Sequence, residues 1–122
     1  MAGFKDLVVY QKAFDLAMEI FEISKGFPRE ERYALVSQIR RSSRSVCSNL
    51  AEGYRKHRYS AHFVSKVSDA DMENSETQVW IDFAHACGYI DEATRDRLTK
   101  TTEEIGRLLN DMLRHPRKYV GN

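Results

Sequence analysis

The residues best suited to chemistry form a basic segment near the middle of the chain. In the stretch SNLAEGYRKHRYSAH, residues 48–62, four consecutive positions carry a cation or an imidazole, and His62 and Lys66 follow. Tyrosines interleave these cations, and a basic groove with aromatic rings is typical of surfaces that bind single-stranded nucleic acid. A short basic run is a weak motif, however, and a solvated turn between two helices has the same composition. The candidate nucleic-acid-binding residues are Arg55, Lys56, His57, Arg58, His62 and Lys66.

Carboxylates and histidines are the next candidates, for metal binding or acid–base catalysis. Asp69, Glu73 and Glu76 share a helical face by their spacing, and Asp82 precedes His85 by three positions. A di-iron bundle needs carboxylates from all four helices and two Glu-x-x-His units, whereas this chain has a single such pair in its Asp form. The serines of RSSRSVCSNLAEG are not set in a nucleophile-elbow sequence. We therefore predict no enzyme activity, no metal and no cofactor.

Four amphipathic segments account for most of the chain, because apolar residues recur in each at spacings of three and four. Gly26 suits a left-handed cap for the first segment, Gly88 stops the third, and Asp91 suits the N-cap of the fourth. The joins between the segments are short. The predicted fold is all-α, an antiparallel up-and-down four-helix bundle that forms a single domain over residues 1–122. The predicted helices span residues 6–24, 29–56, 60–87 and 91–114.

Composition favours a cytoplasmic protein. The chain has 122 residues, of which 42% are apolar and 30% are charged. No apolar run approaches the roughly 18 residues that cross a bilayer, and the N-terminal sequence lacks the features of a signal peptide. The two cysteines, Cys47 and Cys87, form no CxxC pair, so neither a disulfide framework nor a structural zinc site is indicated. We expect no membrane partner.

Charge is segregated along the chain, although the net charge is only +1. Residues 29–66 hold nine Lys or Arg and three acids, whereas residues 69–92 hold seven acids and no Lys or Arg. The small net charge therefore conceals a basic region, residues 29–66, that is followed by an acidic region, residues 69–92. If the second and third helices form a hairpin that turns near Arg58, the two segments lie side by side and their charges can pair.

The hairpin predicts which charges meet: it sets Arg40 near Glu76 and Arg44 near Glu73. Exposed ion pairs contribute about 0–1 kcal/mol each, so these pairs fix register more than stability. Other polar side chains lie among apolar positions, where a buried polar group has to be hydrogen-bonded, so we expect them to form a network between helices. They are Gln38, Asn49, Glu52, Asn74 and Gln78. Gly53 is easiest to place where another backbone comes close or the helix ends. The predicted structural polar network is Gln38, Arg40, Arg44, Asn49, Glu52, Glu73 and Glu76.

Three stretches carry a family resemblance: FKDLVVYQKAFDLAMEIFEISKGFP, ERYALVSQIRRSSRSVCSNLAEGYRK and ENSETQVWIDFAHACGYI. Together they resemble the four-helix-bundle proteins that are encoded within intervening sequences of bacterial large-subunit ribosomal RNA genes. The resemblance implies a ring-like homopentamer. The family also includes relatives of the accessory variability protein of diversity-generating retroelements, which implies nucleic acid and a reverse transcriptase as possible partners. In two respects the chain departs from these relatives: Met72-Glu73 replaces a frequent Gly-Ser pair, and the third helix is acidic.

Two functions from different classes follow. The first is a non-enzymatic oligomeric accessory protein that binds nucleic acid through a basic surface repeated around a ring. Repetition matters here because several weak patches acting on one polyanion bind far more tightly than one patch. The alternative is a protein-interaction scaffold without nucleic-acid binding, whose ring displays the acidic third helix or the C-terminal tail to another protein.

Overall fold

The computed structural model describes residues 3–55 and 59–120, and four α-helices make up most of them. Helix α1 spans Val8–Ser24, α2 spans Leu35–Arg55, α3 spans Ser60–Ala86 and α4 spans Glu92–Arg114. Each helix packs against two neighbours, because α1 contacts α2 and α4, and α3 contacts the same two helices. The part of the chain that is described contains no β-strand. The predicted antiparallel up-and-down four-helix bundle is confirmed.

The start of α2 differs most from the predicted helix bounds. The helix begins at Leu35 rather than at residue 29, because Arg29–Glu31 forms a separate 3-10 turn. Glu31 ties this turn to its surroundings: its Oε1 accepts a hydrogen bond from the backbone N–H of Leu35 at 3.4 Å, and its Oε2 accepts one from the Tyr89 hydroxyl at 2.7 Å. The chain between α1 and α2 is therefore anchored to the loop between α3 and α4.

Two of the three predicted helix ends are confirmed. Asp91 caps α4, since its carboxylate accepts a hydrogen bond from the backbone N–H of Thr94 at 2.8 Å. Gly88 follows α3 with a φ of +79°, in the left-handed region that favours glycine. The prediction for Gly26 is wrong, because α1 ends through Lys25 in a right-handed conformation, and Gly88 alone has a positive φ among the described residues.

A polar layer crosses the otherwise apolar core. The hydroxyls of Ser42 on α2 and Thr77 on α3 are both buried and lie 2.8 Å apart. On the other side of α3, the Asn74 amide donates to the backbone carbonyl of Thr102 at 2.9 Å, and Gln78 Nε2 donates to the Thr102 hydroxyl at 2.7 Å. The layer therefore joins α3 to both of its neighbours. The largest fully buried side chains around it include Ile20, Leu50, Phe63, Ile81, Leu98, Ile105, Leu109 and Met112.

Helices α2 and α3 approach each other closely at Gly53. A Cβ atom at this position would lie 3.0 Å from the Cβ of Lys66 and 3.6 Å from the carbonyl oxygen of Phe63. The expectation that another backbone comes close to Gly53 is confirmed. This contact brings the last turn of α2, which ends at Arg55, against the first turns of α3, which carry His62 and Lys66.

Candidate nucleic-acid interface

A row of arginines runs along α2. Arg40 and Arg44 are about one helical turn apart, and Arg55, the last residue of the helix, follows Arg44 by eleven positions. Eleven residues are about three turns at 3.6 residues per turn, so Arg55 returns to the side of the helix that carries Arg44. At a rise of about 1.5 Å per residue, the row is about 22 Å long. Together with Arg32 in the preceding loop, we call these residues the α2 arginine face.

An open cleft of about 630 Å³ covers the N-terminal half of this face. Four arginines line it together with Tyr33: Arg32, Arg40, Arg41 and Arg44. A second cleft of about 310 Å³ shares Arg32 and Arg40 and adds Lys25 at the end of α1. The larger cleft also offers serine hydroxyls, from Ser37, Ser45 and Ser48.

Helix α1 positions Arg40. Its Nε donates a hydrogen bond to Ser24 Oγ at 2.8 Å, and its Nη2 donates to the carbonyl oxygen of Phe21 at 3.4 Å. The Cζ atom of Arg40 lies 4.6 Å from the centroid of the Phe21 ring, and Lys25 Nζ and Arg44 Cζ lie 4.7 Å and 5.7 Å from the same centroid. Cation–π attraction thus gathers three positive side chains around one aromatic ring.

The acids of α3 pair with Arg41, and the predicted pairs of Arg40 with Glu76 and of Arg44 with Glu73 are wrong. Arg41 Nη1 donates to both carboxylate oxygens of Glu73, at 3.2 Å and 3.1 Å, and its Nη2 donates to Glu76. These hydrogen bonds raise the pKa of the Arg41 guanidinium above its ordinary value. Neighbouring residues on a helix point about 100° apart, so Arg40 faces α1 while Arg41 faces α3.

Arg41 also lines the cleft, but its electrostatic surroundings differ from those of the other three arginines. Within residues 3–55 and 59–120, no carboxylate forms an ion pair with Arg32, Arg40 or Arg44. The α1 side of α2 therefore keeps its positive charge, whereas on the α3 side Arg41 is neutralised by two acids.

The other members of the predicted polar network lie apart from one another. Gln38 belongs to the Arg41 cluster, because its Oε1 accepts a hydrogen bond from Arg41 Nε at 3.2 Å. Asn49 bonds within its own helix, where its Nδ2 donates to the carbonyl of Ser45 at 2.9 Å. Glu52 is exposed. The buried polar contacts between helices come from the layer around Ser42 and Thr102, and two residues predicted to bond between helices, Asn74 and Gln78, belong to this layer.

Of the predicted basic segment, the structure describes the two ends. Arg55 is exposed at the end of α2. His62 is also exposed, and its ring packs edge-on against Tyr59 with the centroids 6.0 Å apart. Lys66 has a carboxylate partner, since its Nζ lies 3.1 Å from Glu52 Oε2. Outside the described residues lie Lys56, His57 and Arg58.

Two further properties of the described residues concern metal binding and membrane insertion. Among the residues that the structure describes, no three His, Cys, Asp or Glu side chains are grouped so that they could share a metal ion. Glu73 and Glu76, two of the candidate ligands, both bind Arg41. No described helix combines the length and the apolar character that a bilayer crossing requires.

Exposed apolar side chains flank α2 on two sides. Toward α1, Phe14 and Met18 are 48% and 47% exposed and line a cleft of about 400 Å³ together with Cys47. Toward α3, Phe83 is 54% exposed and lines a cleft of about 270 Å³ together with Trp80. Large apolar side chains grouped around a surface cleft are typical of interaction surfaces.

Comparisons with known proteins agree with the architecture. Among solved structures, a protein with unknown function from the S23 ribosomal protein family of Bacteroides thetaiotaomicron is 26% identical, with a TM-score of 0.79. The similarity covers 88% of this chain and 96% of that one. A search of curated proteins gives no significant match. A sequence model of the 23S rRNA-intervening sequence protein family matches residues 5–111. The family resemblance is thereby confirmed, and the chain belongs to the 23S rRNA-intervening sequence protein family.

Proposed function

We propose that this protein is a non-enzymatic cytoplasmic accessory protein that assembles into a ring and binds nucleic acid along the α2 arginine face. The observation that carries the proposal is the cleft at Arg32, Arg40 and Arg44, whose guanidinium groups form no ion pair with a carboxylate of the described residues, in contrast to Arg41 at the same cleft. A guanidinium presents several N–H donors in one plane, which matches the oxygens of a phosphate. Phosphate contacts supply most of the affinity of proteins that bind nucleic acid without sequence preference.

The proposal enlarges the basic segment that the sequence indicates. Arg55 belongs to both surfaces, because it ends α2 on the side of the helix that carries Arg44. Lys66 can still contribute, since its ion pair with Glu52 is exposed to solvent and such pairs are worth only about 0–1 kcal/mol. A phosphate can therefore compete with the Glu52 carboxylate for Lys66.

The two apolar surfaces beside α2 support self-association. They lie on different sides of the helix, so the Phe14 surface of one copy can contact the Phe83 surface of the next in a head-to-tail manner. Head-to-tail contacts generate a ring when the rotation between copies closes. The subunit number, five, is taken from the family resemblance. A ring repeats the arginine face once per subunit, so a long polyanion can contact several copies at once.

The proposal is tested by fluorescence anisotropy of labelled RNA and DNA single strands at two salt concentrations, with light scattering to measure the mass of the particle. We expect binding by a particle several times the monomer mass, and the affinity should fall steeply with salt because phosphate contacts release counterions. The double variant Arg44→Ala, Arg55→Ala should bind roughly tenfold or more weakly, since each subunit of the ring loses two phosphate contacts. Its particle mass should equal that of the parent protein, which has to be measured because Arg44 also lines the Phe14 cleft.

The matched control is the double variant Arg107→Ala, Arg114→Ala, which removes the same charge from exposed positions on α4. It should bind like the parent protein. Absence of binding by the intact oligomer at low salt would overturn the nucleic-acid proposal and favour the protein-interaction scaffold. Equal losses in both variants would show that net charge, rather than the arginine face, controls binding.

A further inference from the structure

The most exposed large apolar side chain of the described residues lies at the arginine cleft. Tyr33 is 86% exposed, and its ring lines the cleft next to Arg40 and Arg44. The guanidinium of Arg32 lies 5.4 Å from the centroid of the Tyr33 ring. Because the ring is almost wholly exposed, it contributes little to the packing of the bundle.

An exposed aromatic ring next to cations without a carboxylate partner is suited to binding a nucleotide. The face of an aromatic ring can stack on any nucleobase, and a nearby guanidinium adds cation–π attraction. Arg40 is already held by Ser24 and Phe21, so a phosphate that contacts it meets a side chain in a fixed position. The cleft thus combines a surface for a base with positive charge for the adjoining phosphates.

We infer that the α2 arginine face selects single-stranded over double-stranded nucleic acid, with an unpaired base stacked on Tyr33 and its neighbouring phosphates at Arg40 and Arg44. In a duplex, both faces of each base are covered by its neighbours, so the tyrosine finds no base to stack on. This inference rests on the proposed function and adds the class of nucleic acid to it.

A short single strand that carries 2-aminopurine in place of one base tests the inference. The fluorescence of 2-aminopurine is quenched when the base stacks on an aromatic ring, and the anisotropy of an end label reports affinity in the same titration. We expect the parent protein to quench the probe, and an unlabelled duplex of the same sequence to compete poorly. Tyr33→Ala should lose the quenching and bind roughly 5- to 150-fold more weakly, whereas Tyr33→Phe should keep both properties because it keeps the ring.

Tyr59 supplies the comparison, because it is 63% exposed and belongs to the predicted basic segment. Tyr59→Ala should keep the quenching, even where the loss of its ring from the basic segment weakens binding. The inference is overturned if the protein binds the strand but Tyr33→Ala quenches equally, if the duplex competes equally, or if the quenching depends on Tyr59 instead. In those cases the proposed function stands. If the parent protein binds neither strand nor duplex at low salt, the proposed function fails as well.

Discussion

At the scale of single residues, Asp111 shows how one carboxylate secures a chain segment. Its Oδ2 accepts hydrogen bonds from the Tyr119 hydroxyl at 2.7 Å and from Lys118 Nζ at 2.9 Å. These two donors lower the pKa of Asp111 below its ordinary value, and burial together with the same hydrogen bond raises the pKa of Tyr119 to about 12. The Tyr119 ring stacks on Phe63, so the carboxylate holds an aromatic ring against the core.

The replacement Asp111→Asn should lower the melting temperature at neutral pH. A carboxyl group whose folded-state pKa is lowered stabilises the protein above its unfolded-state pKa of 3.8, and this contribution is lost as the pH falls through the lower folded-state value. The difference between variant and parent should therefore shrink on acidification. Thermal unfolding measured from neutral pH to about pH 3 checks this. The same replacement at exposed Asp15 on α1 is the control, and a difference that grows in acid would contradict the assignment.

At the scale of helices, two glycines inside helical segments have different surroundings. Gly53 on α2 faces the Cβ of Lys66, and that atom cannot move without its helix. Gly106 on α4 faces the Asn74 amide, and a Cβ atom there would lie 3.5 Å from Nδ2, an ordinary contact distance. The same chemical change should therefore have different consequences on the two helices.

The replacement Gly106→Ala should stabilise the protein by about 0.5–1 kcal/mol, because alanine favours the helix and the new methyl group fits. Gly53→Ala should bring no such gain, because the new Cβ has to separate α2 from α3 and this offsets the helix preference. Urea denaturation gives both free energies of unfolding. Equal stabilisation by the two replacements would contradict the close approach at Gly53.

The sequence predicts the existence of the helices better than the directions of their side chains. Apolar spacing, Asp91 and Gly88 are local signals, and they locate three of the helices to within a few residues. The start of α2 is not determined by local sequence alone, because Glu31 in the preceding turn accepts a hydrogen bond from Tyr89, which is far along the chain. Arg40 and Arg41 are adjacent in sequence, yet Arg40 contacts α1 and Arg41 contacts α3. Which of the two contacts which helix depends on how α2 is rotated about its own axis.

The sequence predicts only part of the candidate site. Arg55 follows from the basic run in the sequence. Arg32 and Tyr33 are missed because the pattern predicts a helix from residue 29, whereas both residues lie in the loop before Leu35. The sequence does indicate the arginine face, because Arg40 and Arg44 are four positions apart on a helix that also carries a separate apolar stripe.

At the scale of the whole molecule, the polar layer determines how the helices match each other. Ser42 and Thr77 connect α2 to α3, and Asn74 with Gln78 connects α3 to Thr102 on α4. Apolar contacts tolerate sliding of one helix along another, whereas a buried hydroxyl that loses its partner is costly. The layer therefore favours one register of the bundle over its alternatives.

The single replacements Ser42→Ala and Thr77→Val should each cost about 0.5–1.5 kcal/mol, because the remaining hydroxyl loses one partner but keeps a backbone carbonyl of its own helix, that of Ile39 or of Glu73, as an acceptor. The double variant should cost less than the sum of the two, because the contact between the two hydroxyls can be lost only once. Chemical denaturation of the four proteins gives the coupling free energy. Additive costs would indicate that the contact between these hydroxyls does not stabilise the bundle.

The grip of α1 on Arg40 links ligand binding to the integrity of the fold. The guanidinium reaches its position through Ser24 and Phe21, so the arginine face is complete while α1 stays docked on α2. A polyanion bound at Arg40 consequently binds the native chain more tightly than the unfolded chain, and by mass action it opposes unfolding. Detachment of α1 would in turn release the polyanion, which makes the first helix a thermodynamic latch for whatever the second helix holds.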